Sequence, residues 1–455
     1  MSIDYTVIIG ILLNILVYLI GFYLVWRNGG VTKNLALWFS LVIFVVYYFI
    51  TPVYFYYIGR TTIWGDLYPG VGVNIIDYYG ISLIYYGIAN FCFILGYFCF
   101  RYKKKSIKID IKIFTRENTR GPIILAFVVC YLIVLINFIS SGFNPLDFLL
   151  GDTESSLWNA DTNSYFRNFA DSLIAINIIA FYFNLEKKYF LPMTLLNFIL
   201  FLLMGFRYRL ILVIIGFFFS FLLTKKKFSI NYWKMGSSIL LFCYFMFFIT
   251  YNRAVFSKGE VDKFTANPIE FDYSLFFDQT RGMLDDINII QYYDTNPRAR
   301  HDNGISFLYF IIRAIPRSLV GDKFKDSFYP FPAQVIILDA YDLSWAWGVT
   351  SPGEAPLHLA YFVIAGGIYF LFIGSFLVGI ILRFLTSRLD LSSDKNKLIT
   401  IIFACSLFQW YTRGFFPGFV DHLAFLLIGV YIVFFLTKVF AFQVRSGNIS
   451  KTITS

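Results

Sequence analysis

Five arginines stand at the edges of long apolar runs. Arg207 and Arg209 occur in Met204-Gly205-Phe206-Arg207-Tyr208-Arg209, where two apolar runs meet with almost no loop between them. Arg313 and Arg317 flank Pro316 inside an apolar segment, and Arg413 closes another run in Trp410-Tyr411-Thr412-Arg413-Gly414. A guanidinium presents a planar fork that binds phosphate or carboxylate through two hydrogen bonds, and it stays charged when partly buried. At apolar boundaries such groups suit an anionic substrate that itself resides in a membrane. The alternative is that each arginine snorkels to lipid headgroups or pairs with a nearby acid.

Three histidines, His301, His358 and His422, join the candidates. Histidine and glutamate are the usual general bases. Glu354 and His358 stand four residues apart where an apolar run begins, a spacing that puts them on one helix face. A hydrogen-bonded structural pair fits that spacing as well. No HExxH, Walker loop, DxD or GxSxG motif stands in a credible context, so a metal site is unsupported. Cys92, Cys99, Cys130, Cys243 and Cys405 lie inside apolar runs without CxxC spacing and read as helix-packing residues.

The elements that must position these residues follow from composition. Only 15% of residues are charged and 58% are hydrophobic, against about 25% charged in an ordinary soluble domain. A soluble core cannot hide that much apolar surface, whereas a bilayer can. About eleven spanning helices are expected, near 5–26, 35–57, 78–100, 121–140, 166–184, 189–206, 210–224, 234–250, 357–382, 398–412 and 421–440. Residues 1–250 thus hold helices one to eight, 251–356 form one large outer loop, and 357–455 hold helices nine to eleven and a cytoplasmic tail. Within the loop, Phe271 to Tyr293 reads as an amphipathic helix with Phe276, Met283, Leu284, Ile287 and Ile290 on one face. Gly304 to Ala314 is apolar but too short to span, and is expected at the membrane surface. The loop holds Glu260, Asp262, Glu270, Asp272, Asp278, Asp285, Asp286, Asp294 and Asp302; carboxylates suit sugar hydroxyls, but an ordinary solvated loop accounts for most of these acids.

No positive side chain precedes the first run, and Arg27 and Lys33 follow it, so the amino terminus is expected outside, with the first helix kept as an anchor. Every basic cluster then falls on the inner side. The inner side carries sixteen Lys and seven Arg, the outer side four Lys and eleven Arg. The net charge of +10 therefore reads as an orientation signal and not as a nucleic-acid surface. Lysine would orient and snorkel equally well, so the outer preference for arginine favours anion binding, and a lipid-linked pyrophosphate fits.

The stretches Gly205-Phe206-Arg207-Tyr208-Arg209-Leu210, Arg313-Ala314-Ile315-Pro316-Arg317-Ser318, Gly348-Val349-Thr350-Ser351-Pro352-Gly353-Glu354 with Tyr361 to Gly367 after it, and Arg413-Gly414 carry a resemblance. With the layout, they resemble the bacterial O-antigen polymerase (Wzy) family of oligosaccharide repeat-unit polymerases. The resemblance implies an all-α, GT-C-like membrane glycosyltransferase of the bacterial plasma (inner) membrane, working on the outer face without a metal or other cofactor. It implies transfer of a growing glycan from undecaprenyl pyrophosphate to the non-reducing end of a new undecaprenyl-pyrophosphate-linked repeat unit, for O-antigen, capsule or another exopolysaccharide. A chain-length co-polymerase is the implied partner besides the lipid bilayer. On this resemblance Arg207, Arg209, Arg313, Arg317 and Arg413 bind the donor pyrophosphate, and Glu354, with His358 second, is the base. The paired outer segments of some members, with Arg and Gly ten residues apart, are not found. Rivals are an O-antigen ligase, a flippase or other transporter, and a non-catalytic scaffold. A transporter predicts charged or broken helices at the bilayer midplane, often in two related halves.

The charge distribution predicts that alkaline phosphatase fused after Arg60, Glu260 or Lys323 is active, and after Lys105, Lys226 or Lys395 inactive. The opposite pattern, or a switch of side partway along the chain, would overturn the assigned topology.

Overall fold

The computed structural model describes residues 4–60, 74–100, 116–140, 168–204, 207–224, 280–315, 317–321, 356–389 and 393–453, with short stretches near 244–252 and 264–268. All regular structure among these is helical: α1 (Tyr5–Arg27), α2 (Gly30–Lys33), α3 (Leu35–Val45), a π-helical turn (Val46–Ile50), α4 (Thr51–Tyr57), α5 (Tyr78–Cys99), α6 (Arg116–Ser140), α7 (Ala170–Tyr182), α8 (Lys187–Leu203), α9 (Arg207–Thr224), α10 (Gly282–Thr295), α11 (Ile305–Ala314), α12 (Arg317–Val320), α13 (His358–Arg388), α14 (Asp394–Arg413) and α15 (Phe416–Ile453). Among the described residues, six stretches are long and apolar enough to cross a membrane: Tyr5–Arg27, Leu35–Tyr57, Tyr78–Cys99, Asn118–Ser140, His358–Arg388 and Phe416–Ala441. The chain is an all-α, multi-pass membrane protein. At four other expected spans stand the shorter or less apolar helices α7, α8, α9 and α14, and the span expected near 234–250 lies largely outside the described residues.

The chain divides into two compact units. The first comprises Met1–Ser106, Phe277–Asp390 and Ser406–Asp421, and the second Ile107–Phe276, Leu391–Cys405 and His422–Ser455. In the first, α5 packs along both α1 and α13. A Cβ on Gly96 would strike the Phe376 carbonyl, and one on Gly379 would strike the Phe93 carbonyl. Two glycines thus let α5 and α13 meet backbone to backbone, as at other membrane-helix crossings. Asn14 donates to the Gly10 and Leu83 carbonyls at 2.8 and 2.7 Å, tying α1 to α5. The far faces of α1 and α13 leave Leu12, Leu16, Tyr369 and Ile373 exposed, the apolar stripes that lipid would cover.

Two interruptions shape the interior of this unit. Pro52 has no N–H to donate to the carbonyl four residues before it, at Tyr48, and its ring crowds that carbonyl. The helix widens into the π turn just there, where the Thr51 hydroxyl takes the Val46 carbonyl at 2.8 Å. Tyr48 is the buried residue of that turn. The second interruption corrects the single span expected at 357–382. A continuous helix over the 31 residues of α13 would run about 46 Å, well beyond a hydrocarbon core of about 30 Å. The helix breaks at Gly366 and Gly367, the latter at φ 76°, ψ −167°, a conformation open essentially to glycine alone. Ile368 to Arg388, about 31 Å of helix, is left to span. His358 to Ala365 forms a separate segment in which every residue is buried. The Ile364 carbonyl at the break receives the Asp302 N–H at 3.0 Å, and His301 Nδ1 stands 3.3 Å from it.

The second unit is organised on α7, whose residues from Ala170 to Ala180 are all buried. A helix apolar on every side belongs inside a bundle, and α6, α8 and α9 pack against it. Ser172 Oγ donates to the Phe425 carbonyl of α15 at 2.7 Å.

Within each unit, contacts join helix ends that the charge pattern assigns to one side. Arg120 meets Glu186 at 2.6 Å, and Tyr182 donates to Asp394 at 2.6 Å, both on the expected inner side. Thr51 meets Thr280 at 2.9 Å, and Tyr78 donates to Asp294 at 2.7 Å, both on the expected outer side.

The α5–α13 crossing predicts that Gly379→Leu, which forces the helices apart, costs about 1–3 kcal/mol or more. It should lower the melting temperature in detergent, while Leu377→Val on the lipid face changes it little. Equal melting of Gly379→Leu and the parent would remove the crossing from the account of stability.

Candidate functional site

Each unit holds a buried polar cluster on its expected outer half. In the first unit, Asp286 on α10 reaches the head of α13. Its Oδ1 accepts the Leu357 N–H at 2.7 Å, and the carboxyl also binds the Ala360 amide. A helix start leaves such amides without intrahelical partners, and a carboxyl there satisfies them. Burial pushes the Asp286 carboxyl well above the usual carboxylate range, against the opposing pull of those two amides.

His358 opens α13 inside an aromatic enclosure. Phe44 stacks on its ring with centroids 5.2 Å apart, and the Tyr411 and Trp410 rings lie at 4.6 and 5.6 Å. The Leu359 N–H donates to the Tyr48 hydroxyl at 3.2 Å, and the same hydroxyl is hydrogen-bonded to His358 Nδ1 at 2.9 Å. The imidazole also hydrogen-bonds the Tyr411 backbone. Both nitrogens are therefore engaged. The helix begins at His358, with Leu357 extended as its cap. Glu354 itself lies outside the described residues.

In the second unit, Asp171 on α7 accepts from Arg209 Nε at 2.6 Å through Oδ1, and its Oδ2 lies 2.7 Å from His422 Nδ1. All three side chains are at most 3% exposed. The Arg209 guanidinium lies over the Tyr208 ring at 5.1 Å, and that ring stands edge-on to His422 at 5.9 Å. Three helices, α7, α9 and α15, thereby share one buried carboxylate. A lone buried carboxylate is costly, and two cationic or hydrogen-bonding partners offset the cost.

The other arginines are placed as follows. Arg413 ends α14 and is exposed. Arg207 opens α9, Arg313 lies near the end of α11 and Arg317 opens α12; their side chains lie outside the described residues. Arg313, Arg317 and Arg413 belong to the first unit, Arg207 and Arg209 to the second. Of these, the structure assigns a partner to Arg209, and it is an internal acid.

Asp171 was missed in the sequence although a signal existed, since an ionisable residue inside an apolar run reads as a site by default. Of the nine loop acids between Glu260 and Asp302, four lie among the described residues: Asp294 is exposed, as a solvated loop requires, and three are buried. Asp285 and Asp286 are fully buried, and Asp302 is 6% exposed, capping α11 by accepting from the Gly304 and Ser306 amides. The amphipathic helix expected over Phe271 to Tyr293 begins at Gly282 among the described residues, with Met283, Leu284, Ile287 and Ile290 buried as expected; Phe276 lies outside them. The surface segment expected at Gly304 to Ala314 is α11, with Leu308 and Ile311 exposed. Among the described residues no cluster of three or more His, Cys, Asp or Glu side chains is placed to hold a metal ion. No family model, curated protein or solved structure matches the chain.

The Asp286 geometry predicts two opposite outcomes. A folded-state carboxyl pKa above its unfolded value contributes stability that is complete below the unfolded pKa and is lost as pH rises through the folded one. Asp286→Asn keeps an acceptor for the amides and never ionises, so its melting temperature should gain on the parent between pH 5 and 8.5. Asp286→Ala orphans those amides, and should cost about 1–3 kcal/mol at either pH. A parent that instead gains on Asp286→Asn with rising pH would mean the carboxyl is ionised.

Proposed function

We propose that the chain is a GT-C-like membrane glycosyltransferase with about eleven spans, which polymerises lipid-linked oligosaccharide repeat units on the outer face of the bacterial plasma membrane. The growing glycan leaves its undecaprenyl pyrophosphate and joins the non-reducing end of a new undecaprenyl-pyrophosphate-linked repeat unit. What supports this reading is the sorting of cations under the expected topology, eleven Arg against four Lys on the expected outer side and seven Arg against sixteen Lys on the expected inner side. Orientation alone requires no arginine. A departing pyrophosphate does require fixed positive donors where its charge develops, and Arg207, Arg313, Arg317 and Arg413 stand at apolar boundaries where such a headgroup lies. No metal or cofactor is called for, because guanidinium groups supply the charge.

The helix break in α13 is the observation that favours a transporter, since broken spans line many transport sites. It lies at the end of the membrane-length segment Ile368 to Arg388 and is capped by His301 and Asp302 of the loop preceding α11. A break at one end of a membrane-length segment, and not at its middle, supports the enzyme reading over the transporter.

The deciding experiment is deletion of the gene in its source bacterium, with the surface glycan resolved by gel. Collapse of the ladder to one repeat unit on the acceptor is the expected result. Full-length chains accumulating on undecaprenyl pyrophosphate would make the protein a ligase, and repeat units trapped on the inner leaflet would make it a flippase. An unchanged ladder in a strain with no second polymerase would end the glycan assignment.

A further inference from the structure

The Arg209–Asp171–His422 cluster fixes more than packing. Arg209 Nε against Oδ1, at 2.6 Å, keeps Asp171 ionised, because a guanidinium does not give up its proton. An ionised carboxylate can only accept, so His422 Nδ1 carries a hydrogen and donates it to Oδ2 across 2.7 Å. In the neutral ring the lone pair then sits on Nε2. That atom is buried and has no hydrogen-bond partner, in a side chain 1% exposed. His358, by contrast, has both nitrogens engaged. A residue kept only to donate to Asp171 needs no second nitrogen, and leaving one buried and unpartnered costs stability.

We propose that His422 Nε2 is the proton acceptor of the transfer, with Asp171 and Arg209 as positioning residues that set its tautomer and orientation. The proposal rests on the glycosyltransferase reading and names its base. The acceptor sugar hydroxyl forms the new bond to the donor's anomeric carbon through its oxygen. The bond from that carbon to the pyrophosphate oxygen breaks, and its electron pair leaves with the lipid pyrophosphate. The hydroxyl proton passes to His422 Nε2, and the Asp171 carboxylate stabilises the imidazolium so formed. Nε2 is closed to solvent, so a hydroxyl reaches it only when neighbouring side chains move. A base closed in this way is not supplied with water that would hydrolyse the donor.

The test uses the full-length protein in lipid nanodiscs with lipid-linked repeat units extracted from the deletion strain. Variants are His422→Gln, whose amide still donates to Asp171, His422→Ala and Asp171→Asn, each checked by melting temperature. Both His422 variants are expected to lose at least about a hundredfold in kcat, the scale of a missing general base. Added imidazole should restore part of the His422→Ala rate, which a lost structural contact would not allow. Asp171→Asn should lower kcat with KM for the lipid-linked substrate little changed. Folded His422→Gln within about threefold of the parent kcat overturns the proposal. So does unfolding of both His422 variants, which would make the imidazole a strut. If the unsubstituted protein neither polymerises in the nanodisc nor alters the ladder on deletion, the glycosyltransferase reading fails first, and the base falls with it.

Discussion

Within a bilayer the protein must satisfy its own backbone groups and neutralise its own charges, because no water is there to do so. Three departures from regular helix come with a protein group that answers this requirement. Where α13 breaks at Gly366 and Gly367, the Ile364 carbonyl takes the Asp302 N–H. Where that helix begins inside the protein, Asp286 takes the Leu357 amide. Where Pro52 opens the preceding span into a π turn, the Thr51 hydroxyl takes the Val46 carbonyl. In the second unit the same requirement acts on charge. Asp171 stands in a helix buried on all sides, and Arg209 and His422 are its answer.

The requirement also explains which parts of the fold were legible in the sequence. Apolar runs mark helices because a spanning segment has few alternatives, so α1, α5, α6 and α15 stand close to where hydropathy puts them. Hydropathy does not register backbone geometry. The run from His358 to Arg388 reads as one helix, although its length exceeds a bilayer and the pair Gly366-Gly367 sits near one end. Length and a glycine pair together were the available signal. The acids are another matter. Asp285, Asp286 and Asp302 lie in a loop region, where carboxylates are usually solvated; Asp286 finds its partner at the distant Leu357, while Asp302 caps the helix that follows it. Asp171 was the reverse: its apolar neighbours announced burial, but its partners Arg209 and His422 are distant in sequence and only the fold brings them together.

The three histidines show why residue type alone could not assign the chemistry. His301 stacks on Tyr293 with centroids 4.5 Å apart and faces the carbonyl at the helix break. His358 is held at both nitrogens within Phe44, Trp410 and Tyr411. His422 is held at one nitrogen only. The sequence offered Glu354 and His358 on spacing; α13 begins at His358, and Glu354 lies outside the described residues. What distinguishes the three imidazoles is the set of groups that meets each ring nitrogen, and that is a property of neighbours.

Arginine has two separable uses in this chain, and the distinction follows from burial. Arg209 is enclosed with its counter-ion, so its charge is spent on holding Asp171 ionised. A lysine in its place would be a poorer guarantor, because a buried ammonium can shed its proton and would then release the carboxylate from its partner. With Asp171 neutral, the hydrogen on His422 Nδ1 would no longer be specified, and the lone pair on Nε2 would not be either. Arg413, exposed at the end of α14, has no such enclosure. Permanence of charge is what sets arginine apart from lysine where an acid is buried; at an exposed helix end both side chains stay charged, and only the planar fork would distinguish them.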